Sequence, residues 1–386
     1  MDHGLAHQVA SQGNCIDWEF GAAEAADSQT MARQFHGHRI YAGLQIAYTA
    51  ALDMPQARIS GIFIAALICV AALFSTAHSH AQQTTGIELF SLPAATPGNS
   101  QAPSFGVALL GGGGDVDDAA KFLCDHSHGG EIVVLRASGR DAYNPYFHQL
   151  CPGNSITTLL ITSAEGAKAP EAIQHVRNAH ALFIAGGDQS NYVKMWPGPL
   201  LKEINDAIAR GVPIGGTSAG LAVLGEFAFS ARNDTVTSAE ALANPFDPKV
   251  TLERDFLSIP VMQGIITDSH FSPRQRLGRT VAFLARIEQD DWAKHARAIG
   301  IDEATTVLVD PDGKAIVAGK GSAYFLELSH QPVECAPGKP LSLKGLHGYQ
   351  LPAGPEAKFD FRTWSGSGGS NLFVSVERGT MMVTRR

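Results

Sequence analysis

The chain of 386 residues contains no run of Lys or Arg, and its 29 basic side chains are outnumbered by 37 acidic ones, for a net charge of −8. That balance argues against a nucleic-acid partner, which is held by a basic patch or stripe. No stretch reads as Gly-x-Gly-x-x-Gly followed by a ribose-binding acid, so no dinucleotide is assigned. Cys124, Asp125, His126 and His128 form one short cluster without a second ligand pair, the pattern of a polar helix end rather than a metal site. No cofactor and no metal are expected, and no internal repeat is visible.

The apolar run at 62–74 is too short for a membrane span. With Arg58 before it and Ser79-His80-Ala81 after it, the run has the basic start, apolar middle and small-residue exit of a secretory signal peptide. A signal anchor with a cytoplasmic tail is the other reading. Met54 lies just ahead of Arg58, so 54–81 reads as the signal peptide and 1–53 as an upstream extension that is not part of the translated protein. The expected location is secreted or periplasmic, with no membrane association after cleavage near Ala81. Removing 1–81 leaves 305 residues, lowers Lys plus Arg from 29 to 26 and Asp plus Glu from 37 to 31, and leaves a charge of −5. The five cysteines reduce to Cys124, Cys151 and Cys335. Export permits a disulfide between Cys124 and Cys151, and three buried thiols is the alternative. Residues 82–104, rich in Thr, Pro, Ser and Ala, read as a flexible leader.

From 105 onward, apolar runs alternate with helical stretches. Strands are expected at 105–110, 131–136, 157–162 and 181–185, with helices following 116, around 143–150, over 170–177 and over 199–210. Strand and helix in alternation predict an α/β fold, a parallel sheet with helices on both faces, with ligands beyond the carboxyl ends of the strands. The glycine turn at 111–114 suits close approach of backbone to a ligand, or is simply a tight turn. The last two segments converge on Ile214-Gly215-Gly216-Thr217-Ser218-Ala219-Gly220, a short buried strand running into Gly-x-Ser-x-Gly, with a helical run expected over 221–229. This is the local context of a nucleophile elbow: glycines on either side make room for a tight turn that lifts the Ser218 hydroxyl above the sheet. The turn aims the Ala219 amide toward a developing oxyanion, and Gly187, in the turn Gly186-Gly187-Asp188-Gln189, is the candidate second donor. Asp188 itself suits a helix N-cap.

A strand at 261–267 ends in Asp268-Ser269-His270-Phe271-Ser272-Pro273-Arg274-Gln275-Arg276-Leu277-Gly278-Arg279, which places His270 just past a buried strand beside a cationic cluster. Arg274, Arg276 and Arg279 are candidates for a carboxylate clamp, since guanidinium reads carboxylates bidentately. A serine–histidine pair also needs a carboxylate to fix the imidazole tautomer. Glu303 is the first candidate, Asp302 the second and Asp268 the third. Residues 105–330 thus form one α/β domain, and 331–386 read as a small β-rich C-terminal extension with a packing or surface role.

Taken together, 183–189, 214–220 and 268–279 resemble the serine peptidase family of cyanophycinases and aspartyl dipeptidases, in matching order over about 105–328. The resemblance implies a class I glutamine amidotransferase-like fold with serine in place of cysteine. It implies Ser218 as nucleophile, His270 as general base, Glu303 as orienting acid, and substrate contacts from Gln189, Asp268, Arg274, Arg276 and Arg279. One departure is Ser269, where a larger polar residue such as Gln is expected. The implied activity is exopeptidase hydrolysis of cyanophycin to β-Asp-Arg dipeptides, and a homodimer is implied as well. An aspartyl or isoaspartyl dipeptidase is the nearest alternative, and a non-catalytic secreted binding protein of the same fold is a third.

Overall fold

In a computed structural model, which describes residues 86–96 and 101–386, four short apolar segments fold as the parallel centre of a ten-stranded sheet. These are β2 (Val107–Leu110), β3 (Ile132–Arg136), β5 (Ala181–Ile184) and β6 (Ile214–Thr217), joined by β4 (Ile156–Ile161) in the order β4-β3-β5-β6-β2. All residues of β2, β4, β5 and β6 are buried, as continuous apolar runs covered on both faces should be. Helices α1 (Asp117–Ser127) and α2 (Tyr143–Leu150) cover one face through Ala119, Leu123 and Phe147. On the other face lie α3 (Pro170–Asn178), α4 (Gln189–Met195) and α5 (Pro199–Ala209), packed with Val176, Trp196 and Ile204 in one core.

A second sheet of eight strands shares that core. Its centre is β7 (Phe227–Phe229), β9 (Ile265–Asp268) and β10 (Ala296–Ile301), mutually parallel and continued by antiparallel β13 (Ser322–Leu328). Ile299, Ile301 and Phe325 face the first sheet, whereas Ala296 and Ala298 face α7 (Leu277–Gln289) through Phe283 and Ile287. Helix α6 (Ser238–Ala243), begun by a capping box from Thr237 and Glu240, packs on α7.

Four expectations differ from what folds. First, the helical run after the elbow is only a 3₁₀ turn, Leu221–Val223, before β7. Gly225 ends it, because its backbone runs so close to Ile265 that an added Cβ would lie 2.4 Å from that carbonyl oxygen. Second, Ile87–Leu92, within the expected leader, is β1, the edge strand antiparallel to β4. Its Ile, Leu and Phe are β-formers that the polar flanks of the leader concealed. Third, the strand expected at 261–267 begins only at Ile265, after a 3₁₀ turn at Pro260–Met262. Fourth, the C-terminal residues form no separate extension. From β11 (Thr305–Val309), β12 (Lys314–Gly319), β15 (Lys358–Asp360) and β16 (Ser365–Ser367) carry the first sheet onward, while β14 (Leu343–Pro352), β17 (Ser370–Glu377) and β18 (Thr380–Arg385) extend the second. Phe325 on β13 stacks on Phe359 of β15 at 3.6 Å, which ties the two extensions into one core.

Cys124 and Cys151 form a disulfide with Cα atoms 5.7 Å apart, tying α1 to the end of α2, and Cys335 is a buried free thiol. The His126 ring bonds to Ser104. The expected signal peptide, cleavage site and upstream extension lie outside the described residues. Among the described residues no helix is long and apolar enough to cross a membrane.

Candidate active site

The elbow is built from glycines that cannot be replaced without a clash. A Cβ on Gly220 would sit 2.0 Å from the Ile184 carbonyl oxygen, and one on Gly216 would sit 2.7 Å from that of Gly220. The chain therefore folds back tightly on β5, and Ser218 at the apex is left with φ 53, a conformation uncommon for a non-glycine residue. Its hydroxyl is half-buried and lies 2.7 Å from His270 Nε2. His270, also with positive φ (45), lies 2.6 Å by its Nδ1 from Glu303 Oε1. With the ring proton on Nδ1, the imidazole donates to the carboxylate and accepts from the serine hydroxyl.

Three consecutive carbonyls in the glycine turn after β2 hold this arrangement. Leu110 O accepts from the Ser218 amide at 3.2 Å, Gly111 O from the His270 amide at 2.8 Å, and Gly112 O from the Ala304 amide, next to Glu303, at 2.8 Å. Gly112 and Gly113 have φ of 83 and 69, and a Cβ on Gly113 would lie 2.6 Å from the Glu303 carboxyl carbon. The turn expected either to approach a ligand or to be a simple turn is thus the frame behind Ser218, His270 and Glu303. Four glycines between a buried strand and a helix were the visible signal, but the residues they would touch are far away in sequence.

The other two acids considered beside His270 are engaged elsewhere. Asp302 accepts from the amides of Ser272 at 2.8 Å and Ser322 at 3.1 Å. Asp268 is only 3% exposed and is held bidentately by Arg279 at 2.8 and 2.5 Å, by Arg276 at 3.3 Å and by Thr280 at 3.0 Å. Burial alone would push its pKa up, but the Arg279 charge and hydrogen bonds, with Arg276 and Thr280, hold it below the usual carboxylate range. The Asp268 carboxylate, for which the resemblance implies a substrate contact, is thus already engaged within the protein. Arg279 is likewise 3% exposed, with its remaining donors on Thr235 and Val236 and its guanidinium over the Phe229 ring. Arg276 donates to Ser269 O at 2.9 Å as well as to Asp268. Of the three expected clamp arginines, only Arg274 has a side chain free of partners among the described residues, and it is exposed.

Burial holds the His270 pKa below its ordinary value; Glu303 opposes this, while the Arg274 and Arg276 charges add to it. The ring is therefore neutral, and able to take a proton, into mildly acidic solution. Across the cleft, the Gly186 position lies against Ser218, where an added Cβ would be 3.4 Å from its Cβ. Tyr192, fully buried, bonds by its hydroxyl to Ala185 O at 2.8 Å and Gly186 O at 3.1 Å, which fixes this turn from below. The amides of Gly187 and Ala219 donate to no group among the described residues, and both residues line the cleft over Ser218. Gln189 donates to Phe229 O at 3.2 Å and Asp188 caps α4, accepting from Ser190. The cleft measures about 460 Å3. A hydroxyl bonded to an imidazole that is itself oriented by a carboxylate, beside two free amides, can attack an acyl carbon and hold the resulting oxyanion.

Comparisons with known proteins bear on part of this chain. Residues 153–246, which include the elbow but not His270 or Glu303, match the model of Peptidase family S51. The chain is 26% identical over 233 residues to cyanophycinases of Synechococcus elongatus and Thermosynechococcus vestitus, covering 57% of this chain and 67% of theirs. It is 27% identical over 156 residues to the cyanophycinase of Geminocystis herdmanii, with 40% and 52% covered. The crystal structure of a peptidase from an acI-B1 Actinobacterium superposes with a TM-score of 0.45 at 18% identity, over 68% of this chain and 98% of that one. The match to peptidase family S51, the cyanophycinase family, is at family level and spans residues 153–246.

Proposed function

We propose that the protein is a secreted, cyanophycinase-like serine exopeptidase that releases β-Asp-Arg dipeptides from cyanophycin. The observation that carries the reading is the unbroken chain Ser218 Oγ, His270 Nε2, His270 Nδ1 and Glu303 Oε1, with contacts of 2.7 and 2.6 Å. Ser218 Oγ attacks the scissile carbonyl carbon as its proton passes to His270 Nε2, and Glu303 stabilises the imidazolium. The tetrahedral oxyanion accepts from the amides of Gly187 and Ala219. Collapse expels the amine, which takes the proton from His270. Water activated by the same imidazole then cleaves the acyl ester and restores Ser218.

The elbow at the carboxyl end of β6, inside a parallel set of strands, supports a class I glutamine amidotransferase-like fold with serine as nucleophile. A Cys124–Cys151 disulfide favours an oxidising compartment, in keeping with export after cleavage near Ala81. A homodimer is part of the proposal through the family resemblance alone.

One observation favours the second reading, an aspartyl or isoaspartyl dipeptidase. Arg276 and Arg279 are committed to Asp268, so fewer free cations face the carboxylates of a polymer. Specificity constants of the full-length chain for soluble cyanophycin oligomers and for free aspartyl and isoaspartyl dipeptides decide between them. The proposal expects oligomers to be preferred by at least tenfold, and preference for the free dipeptides selects the second reading.

A further inference from the structure

Besides His270, five ionisable side chains line the cleft over Ser218: Asp188, Asp234, Arg274, Arg276 and Arg279. Three of them are already spent within the protein. Asp188 takes the amide and hydroxyl of Ser190 on its two oxygens, each at 2.9 Å, and both Arg276 and Arg279 are bound to Asp268. The remaining two have opposite sign. Arg274 is unpaired, and Asp234 accepts only the amide of its own neighbour Thr235, at 2.7 Å on Oδ1, with no cation in ion-pair range among the described residues.

Asp234 is nevertheless held in place. Its amide donates to Ala231 O at 3.2 Å, and its φ is 86, in the positive region that Asp enters more readily than most residues. The segment that carries it continues as the cleft wall through Thr235, Val236, Thr237 and Ser238 into α6. Asp234 is thus an exposed carboxylate on the wall of the cleft that holds Ser218, with Lys249 near enough to feel its charge but no cation in ion-pair range among the described residues, and that is the pattern of a binding group.

We propose that Asp234 is the specificity residue of this cleft, receiving the cationic side chain of the substrate while Arg274 holds a carboxylate of the same molecule. The inference rests on the peptidase reading for the word substrate, but the binding chemistry stands without it. The cleft takes a segment with a guanidinium or ammonium group and a carboxylate within its span. Asp234 thereby replaces Asp268, whose carboxylate is saturated by Arg279, Arg276 and Thr280.

The test uses the full-length chain carrying Ser218→Ala, which binds without turning over, and calorimetric titration with a dimer of β-Asp-Arg and with its citrulline analogue, which keeps the shape and loses the charge. A charge-assisted hydrogen bond predicts roughly ten- to hundredfold tighter binding of the arginine form. Adding Asp234→Asn, which tolerates positive φ as Asp does and keeps an oxygen for the Thr235 amide, abolishes that preference and leaves the citrulline affinity in place. A preference that survives Asp234→Asn, or no preference or no binding at all, overturns the proposal. The two readings fail separately. If the chain with Ser218 intact hydrolyses nothing while the arginine preference still depends on Asp234, the peptidase reading falls and the Asp234 site stands. If hydrolysis depends on Ser218 but binding ignores Asp234, the reverse holds.

Discussion

Gly112 lies against His270 so closely that a Cβ on it would come 2.7 Å from Nε2, the ring nitrogen that meets Ser218. The pair places a backbone position of the first βα turn in direct control of the imidazole. Gly112→Ala must either push the ring away or abandon φ 83. A displacement approaching 1 Å costs on the order of a hundredfold in rate, so kcat falls by about that factor. The strained backbone adds a loss of about 1 kcal/mol or more in unfolding free energy. Steady-state kinetics and denaturant unfolding on the same preparation read both, and an active Gly112→Ala variant contradicts the framing role.

The Asp268–Arg279 pair predicts a change in stability. With both residues 3% exposed, Arg279→Met leaves a buried carboxylate with only the longer 3.3 Å contact to Arg276 and the bond from Thr280. Breaking such a pair costs about 3–5 kcal/mol. Because Asp268 titrates below its unfolded value, the stability it supplies is present above the ordinary carboxylate pKa and is lost as pH falls through the folded one. Urea unfolding of parent and variant at neutral and acidic pH should show the gap narrowing toward low pH.

The acid limb of the pH–rate profile should move in opposite directions in two variants. His270 is held below its ordinary value by burial, with Arg274 adding to the effect and Glu303 opposing it. Arg274→Gln removes a cation, so the imidazole is protonated more easily and the limb of kcat/KM moves to higher pH. Glu303→Gln removes an anion and its hydrogen bond, so the limb moves to lower pH while kcat drops by roughly two to four orders of magnitude. Equal or same-direction shifts contradict the assignment of these neighbours.

The disulfide closes a loop of 27 residues between α1 and the end of α2. By the chain-entropy estimate, its removal in a Cys124→Ala, Cys151→Ala double variant destabilises the chain by roughly 3–4 kcal/mol. Reduction of the parent should produce a similar shift in the unfolding midpoint, with Cys335 left unchanged as a buried thiol.

The parallel centre was legible in sequence because its strands are continuous apolar runs between helices of 3.6-residue period, as at 181–184 and 199–209. The Gly-x-Ser-x-Gly turn and the His270 position were legible for the same local reason. What escaped depends on distant pairing. β1 is a strand because β4 offers an edge and β7 because β9 lies beside Phe227; the 331–386 tail was legible as β-rich, but not that its strands join the open sides of both sheets. At the site, the family resemblance implied substrate contacts from Asp268 and Arg279, but whether a charge is free is decided by what folds against it. Here each residue consumes the other. Asp234 went unnoticed in a turn between a strand and a capped helix, where Asp is common for local reasons.

The most direct test of the central claim is the release of soluble β-Asp-Arg from insoluble cyanophycin by the full-length chain, run beside a folded Ser218→Ala variant. Release by the parent, abolished in the variant with binding of the polymer retained, is the predicted result. Release that persists in Ser218→Ala, or none from a folded parent, contradicts it.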